Sequence, residues 1–185
     1  MPDCARPRRI RAASVWLLAV AVALAGCQSY GTRSASSPSC AVYFSPRGGC
    51  TEHLVEEIAQ AKERIVVQAY SFTSQPIARA LVAASKRGVQ VEAILDKSQA
   101  TDERSAAGLM AQAGIPVDID AAHAIAHNKV MVIDGRTIIT GSFNFTESAE
   151  ARNAENLLVI RDEALATQYA KNWETHRAHS TRYHR

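Results

Sequence analysis

Apolar residues recur at helical spacing at Leu54, Ile58, Ala61 and Ile65 behind Thr51, which predicts a first helix capped by Thr51 and ending near Arg64. The apolar-rich run Ile65-Val66-Val67-Gln68-Ala69-Tyr70-Ser71-Phe72 then reads as a strand. Pro76 suits a first helical turn and Gly88 a C-terminal stop, so they bracket a second helix through Ala80, Leu81 and Ala84. A strand over 89–95, a third helix over 102–113 stopped by Gly114, and a short strand over 115–119 complete this alternation. Pro116 places the last of these near a sheet edge or at a strand start.

The final third has a different rhythm. Val130-Met131-Val132-Ile133 and Thr137-Ile138-Ile139-Thr140 flank Asp134-Gly135-Arg136, the signal for an antiparallel hairpin. Residues 155–160 read as another strand, and Asp162 caps a final helix reaching about His176. Strand–helix alternation followed by a hairpin predicts an α/β fold: a mixed β-sheet flanked by helices on both faces.

Residues 1–27 stand apart. Arg6, Arg8, Arg9 and Arg11 precede an apolar run from Val15 to Leu24, the layout of an export signal and too short for a comfortable membrane span. Leu24-Ala25-Gly26-Cys27 resembles a bacterial lipobox, which implies cleavage before Cys27 and lipidation of that cysteine. A plainly cleaved secretory signal or an uncleaved anchor are the alternatives. Gln28 after the cysteine implies, by resemblance to bacterial lipoproteins, the periplasmic face of an outer membrane; a soluble periplasmic or secreted form is the alternative.

Residues 28–39 are small and polar and read as a tether, 40–176 as one domain and 177–185 as a basic tail. The signal holds four of the 21 Lys and Arg residues and one of the 18 Asp and Glu residues, leaving 17 of each in the remainder. A globally basic surface is thereby excluded, and any nucleic-acid contact falls to local patches. With Cys4 in the signal and Cys27 lipidated, an oxidising compartment predicts a Cys40–Cys50 disulfide bent by Pro46, Gly48 and Gly49, with two free thiols as the alternative.

The chemistry concentrates in the region of about 121–148, at His127, Lys129, Asp134, Gly141, Ser142 and Asn144, spaced H-x-K-x(4)-D-x(6)-G-S-x-N. On a strand His127 and Lys129 share a face, and the hairpin returns Ser142 and Asn144 towards them. One imidazole, one cation and two neutral hydrogen-bonding groups suit a phosphate diester.

The spacing resembles the active-site signature of the phospholipase D superfamily. With Gln68 to Ser74, Pro76-Ile77-Ala78 and Arg87-Gly88-Val89, the likeness extends over roughly 40–176 to its small single-motif bacterial endonucleases, the EDTA-resistant nucleases. The resemblance implies that His127 attacks phosphorus to form a phosphohistidine, Lys129 and Asn144 hold the non-bridging oxygens, and Ser142 supports them. It also implies that Glu155 bonds the other ring nitrogen of the nucleophile. Asp134 and Gly141 read as structural members of the motif. Superfamily catalysis uses two motifs, so one copy per chain implies a twofold homodimer with the site at its interface and a bell-shaped pH–rate profile.

The resemblance implies a metal-independent endonuclease without cofactors, acting on DNA or RNA. The alternatives are a phospholipase D acting on phosphatidylcholine-type lipids at a membrane, and a non-catalytic lipoprotein binding nucleic acid or another partner. His123, His127 and Asp120 suggest a metal set, but a strand over this segment separates the two imidazoles by about 13 Å, so no metal is expected. Tyr70 and Phe72 read as core on one strand face, with base stacking as the alternative. Lys171, His176, Arg177, His179, Arg182, His184 and Arg185 read as a frayed, solvated end, with phosphate contact as the alternative.

Overall fold

The computed structural model describes residues 38–184; the expected export signal, Cys27 and most of the expected tether lie outside the described residues. The elements are β1 (Ser39–Ser45), α1 (Cys50–Gln60), β2 (Arg64–Ala69), α2 (Gln75–Lys86) and β3 (Gln90–Asp96), then a 3-10 turn over Lys97–Ala100. After it come α3 (Ala107–Gln112), β4 (Val117–Asp120), β5 (Lys129–Ile133), β6 (Thr137–Gly141) and α4 (Glu147–Ala151). β7 (Glu155–Arg161), α5 (Glu163–Arg177) and β8 (Thr181–Arg182) close the order. No described helix is long and apolar enough to cross a membrane.

The eight strands form one sheet in the order β1-β7-β6-β5-β2-β3-β4-β8, parallel between β2, β3 and β4 and antiparallel elsewhere. Every residue of β5 and all but the first of β2 are buried, because both faces of the sheet are covered. Ile65, Val67 and Ala69 pack with Leu54 and Ile58 of α1 and Ile77 and Leu81 of α2. Val66, Ile94, Val132 and Ile138 pack on the other face with Ala166 and Trp173 of α5. Burying such side chains contributes about 1.5–3 kcal/mol each. The Trp173 indole N–H also donates to the Val67 carbonyl at 2.8 Å, so α5 is fixed over the sheet centre. This is the α/β architecture expected from the chain pattern.

Several boundaries differ, each through a contact distant in sequence. Gly49, not Thr51, is the N-cap of α1, and the Glu150 carboxylate of α4 accepts from the N–H groups of Gly49 and Thr51. The same helix stops at Gln60 rather than near Arg64. The Asp134 side chain accepts from the N–H groups of Lys62, Glu63 and Arg64 and holds that stretch out of the helix. The third helix shrinks to Ala107–Gln112, since Asp102 and Ser105 bond their own local N–H groups at Arg104 and Ala107.

Two strands were not anticipated. β1 pairs with β7 from Ser39↔Arg161 to Ser45↔Glu155. β8 pairs with β4, and Arg182 Nε lies 3.2 Å from Asp118, so the expected frayed tail includes a sheet edge. The expected disulfide is also corrected: Cys40 is an exposed free thiol and Cys50 a buried one. Strand β1 carries Cys40 about 16 Å from the Ser45 end at which the chain turns, well beyond the reach of a disulfide. Burial, with a smaller effect of the Glu150 charge, pushes the Cys50 thiol up to about 11.

Candidate active site

The hairpin starts from its turn. Asp134 and Gly135 have φ of 51° and 63°, a left-handed pair that opens the three-residue connection Asp134-Gly135-Arg136 between β5 and β6. Met131↔Ile139 and Ile133↔Thr137 set the register. Asp134 is 5% exposed at its side chain and spends both oxygens on the three backbone N–H groups before and at the start of β2. Burial opposes its ionisation, but those N–H groups and Arg136 prevail and hold its carboxyl below the ordinary value.

Lys129 opens β5 and Gly141 closes β6, so the motif's two halves meet at the end of the hairpin opposite the turn. Gly141 has φ 142°, and a Cβ there would stand 2.3 Å from the Asn156 carbonyl oxygen, which leaves glycine as the residue that fits. The next residues leave the strand. Ser142 Oγ accepts from the Asn156 N–H at 3.1 Å and its side-chain amide at 3.4 Å, while Phe143 N–H donates to the Asn156 carbonyl. Asn144 is half-buried, and among the described residues its Oδ1 has no hydrogen-bond partner.

His127 lies in the loop before β5, not on the strand, and is exposed. Two anchors hold that loop: the Tyr70 N–H donates to the Asn128 carbonyl at 2.8 Å, and the Ala126 N–H donates to Asp96 Oδ2 at 2.8 Å. The Tyr70 ring lies 4.7 Å from the His127 ring and 5.3 Å from Lys129 Nζ. Lys129 is only 8% exposed and donates to the His127 carbonyl at 2.9 Å. Burial lowers its ammonium below the ordinary lysine value, with the Glu155 charge acting in the opposite direction. A desolvated cation beside an exposed imidazole is suited to gripping an anion.

The structure thus brings Lys129 to His127 and both halves of the motif to one end of the hairpin, with differences from the expected set. Glu155 accepts from Asn153 Nδ2 at 3.1 Å, and among the described residues no hydrogen bond joins it to His127. Tyr70 and Phe72 part because β2 ends at Ala69: Tyr70 joins the site, while Phe72 is fully buried edge-on to Phe145 at 5.5 Å. Asp96 was missed, although a carboxylate at the C-terminal end of a parallel strand is a position from which loops are often held. The reading of His123 also changes. Residues 121–128 are not a strand, and a carboxylate does join His123: Asp120, together with His176 and His179.

Residues 54–177 match the family described as cardiolipin synthase, PLD-like domain. The chain is 42% identical over 155 residues to a phospholipase D of Rickettsia prowazekii (strain Madrid E), covering 84% of this chain and 76% of that protein. It is 31% identical over 121 residues to a mitochondrial cardiolipin hydrolase of Xenopus laevis, covering 65% of this chain and 58% of that one. The crystal structure of Nuc from Salmonella typhimurium, a phospholipase D family member, matches with a TM-score of 0.77 at 39% identity, covering 80% of this chain and 99% of that one.

Proposed function

Because the chain belongs to the phospholipase D superfamily and is a hydrolase of phosphodiester bonds, we propose that it is an endonuclease working through a phosphohistidine, with no metal at the reacting phosphorus. The observation that carries this reading is the exposed His127 ring, flanked by the Tyr70 ring and the buried Lys129 ammonium. An exposed nucleophile admits a phosphate within a polymer, and an aromatic face beside it offers a surface for a base.

In the first step a His127 ring nitrogen attacks phosphorus, the P–N bond forms, the P–O bond to the leaving group breaks, and that oxygen takes a proton from a second histidine. In the second, water loses a proton to that histidine and attacks phosphorus, and the P–N bond breaks. Lys129 and Asn144 hold the non-bridging oxygens, and Ser142 braces the returning strand through Asn156. One histidine must be neutral and the other protonated, so the rate passes through a maximum with pH.

Lys129→Met is expected to lower kcat by roughly 10²–10³-fold without lowering the melting temperature. The folded lysine titrates below the ordinary value, so its unfavourable contribution is present below the folded value and vanishes above the ordinary one. Removing the charge therefore leaves stability at pH 7 unchanged or higher. A melting temperature that falls in step with activity would count against this role.

The second histidine comes from a second copy of the chain. Edge strand β1 exposes Val42 at 48% and Phe44 at 63%, and Phe44 stands opposite Asn156, the residue bonded to Ser142. This apolar patch adjoins the motif, where a twofold contact brings two sites together. Phe44→Asp is expected to convert a dimer into a folded monomer with activity reduced at least about 100-fold, in proportion to a catalytic histidine lost; light scattering with circular dichroism reads it. An active monomer refutes the shared site.

The competing substrate is a phospholipid, favoured by the 42% identity to a protein named phospholipase D and by the lipobox-like Cys27. Under either reading, lipid on Cys27 holds the domain at the periplasmic face of an outer membrane. Purified protein is assayed in parallel on plasmid DNA and on vesicles of phosphatidylcholine or cardiolipin, with His127→Ala as control. Cleavage of DNA alone supports the nuclease; release of a lipid product with DNA intact replaces it with the lipase.

A further inference from the structure

Away from His127, four potential metal ligands meet where the ends of β4 and α5 come together. Asp120 ends β4 and is fully buried. His123 Nδ1 lies 3.2 Å from each of its oxygens, while His176 Nδ1 and His179 Nε2 lie 2.8 and 3.3 Å from Oδ2. The three imidazole centroids form a near-equilateral triangle with sides of 4.9, 5.2 and 5.3 Å. One ligand atom from each of the four residues fits within 4.8 Å of all the others.

The chain builds this arrangement from two short pairs, Asp120-x-x-His123 and His176-x-x-His179, 53 residues apart at their nearest members. The first pair spans the end of β4 and the following loop, and the second spans the last turn of α5 and the residues before β8. Pairing of β8 with β4 at Ile119↔Thr181 and Asp118↔Arg182 brings the two pairs together. A two-residue gap within each pair is the short ligand spacing common in structural zinc sites. As a purely polar cluster the set is poorly balanced: three imidazoles converge on one carboxylate that also accepts from the Ala122 N–H. A cation among four donors would use the three imidazole lone pairs as well as the carboxylate charge.

We propose that Asp120, His123, His176 and His179 form a four-ligand site for a divalent transition metal, with zinc the best fit. Three imidazoles and one carboxylate suit borderline-soft divalent ions rather than calcium or magnesium. A tetrahedron with metal–ligand bonds of about 2.1 Å has ligand atoms about 3.4 Å apart, which adjustments of about 1 Å in the side chains reach. Four protein ligands complete the tetrahedron, so the role is structural. The metal ties the end of α5 to the loop that runs from His123 to His127, a second fastening beside the Asp96 bond to Ala126. It works whether the diester at His127 belongs to a nucleic acid or a lipid.

The test uses the full chain, stripped with chelator, dialysed and titrated with cobalt(II). One equivalent is expected to give the visible absorption of tetrahedral cobalt, which zinc then abolishes, and zinc is expected to raise the melting temperature by about 5 °C or more. His123→Ala and His179→Ala remove partly exposed side chains, at 45% and 35%. Both are expected to retain their far-ultraviolet dichroism and lose the cobalt band and the zinc-dependent shift. His127→Ala is expected to keep both. No band in the unaltered protein, a band that survives in both ligand variants, or a band lost in His127→Ala each overturns the assignment.

Discussion

His127→Ala is expected to retain less than about 10⁻⁴ of the parent turnover, as loss of a covalent nucleophile does elsewhere, while melting within about 2 °C of the parent, as surface substitutions do. The imidazole is exposed, and its one aromatic neighbour among the described residues is Tyr70 at 4.7 Å, so truncation removes chemistry and little packing. Lys129 reaches the residue-127 carbonyl, which alanine retains, so the cation stays in place. Steady-state hydrolysis of plasmid DNA or an activated diester, with a thermal melt of the same sample, reads both effects. Residual turnover within tenfold of the parent would remove His127 from the mechanism.

Asp134→Ala is expected to do the reverse, destabilising the fold by about 3 kcal/mol through three lost hydrogen bonds to a carboxylate, or roughly 6–12 °C for a domain of this size. Its side chain is the shared acceptor for Lys62, Glu63 and Arg64, and it sits at φ 51°, where alanine is strained. The pH dependence follows from the lowered folded carboxyl. Its contribution is fully present above the ordinary 3.8 and is lost as pH falls through the lower folded value. The gap between parent and variant is therefore wide at pH 7 and narrows in acid. Denaturant unfolding at pH 7 and below pH 3 measures it; an equal gap at both assigns the loss to the turn backbone instead.

Elements whose signals lie within a few residues of each other were readable in the chain. Asp134-Gly135 between two β-branched runs specifies the hairpin, Pro76 and Gly88 bracket α2, and Asp162 caps α5 by accepting from the Leu165 N–H. What escaped depends on partners far along the chain. Glu150 caps α1 from 99 residues away, Asp96 grips Ala126 across 30, and β1 is ordered by β7. The motif was readable as a unit because Lys129 and Gly141 occupy the two ends of one hairpin. His176 and His179 were not, because their chemical partner is Asp120 and no periodicity links α5 to β4.

The proposed mechanism turns on a covalent enzyme–phosphorus intermediate at His127. Hydrolysis of a diester of known configuration at phosphorus, made chiral with sulfur and an oxygen isotope, tests it directly. Two successive in-line displacements, by His127 and then by water, give net retention of configuration. Net inversion would mean that water attacks phosphorus directly and that no phosphohistidine forms.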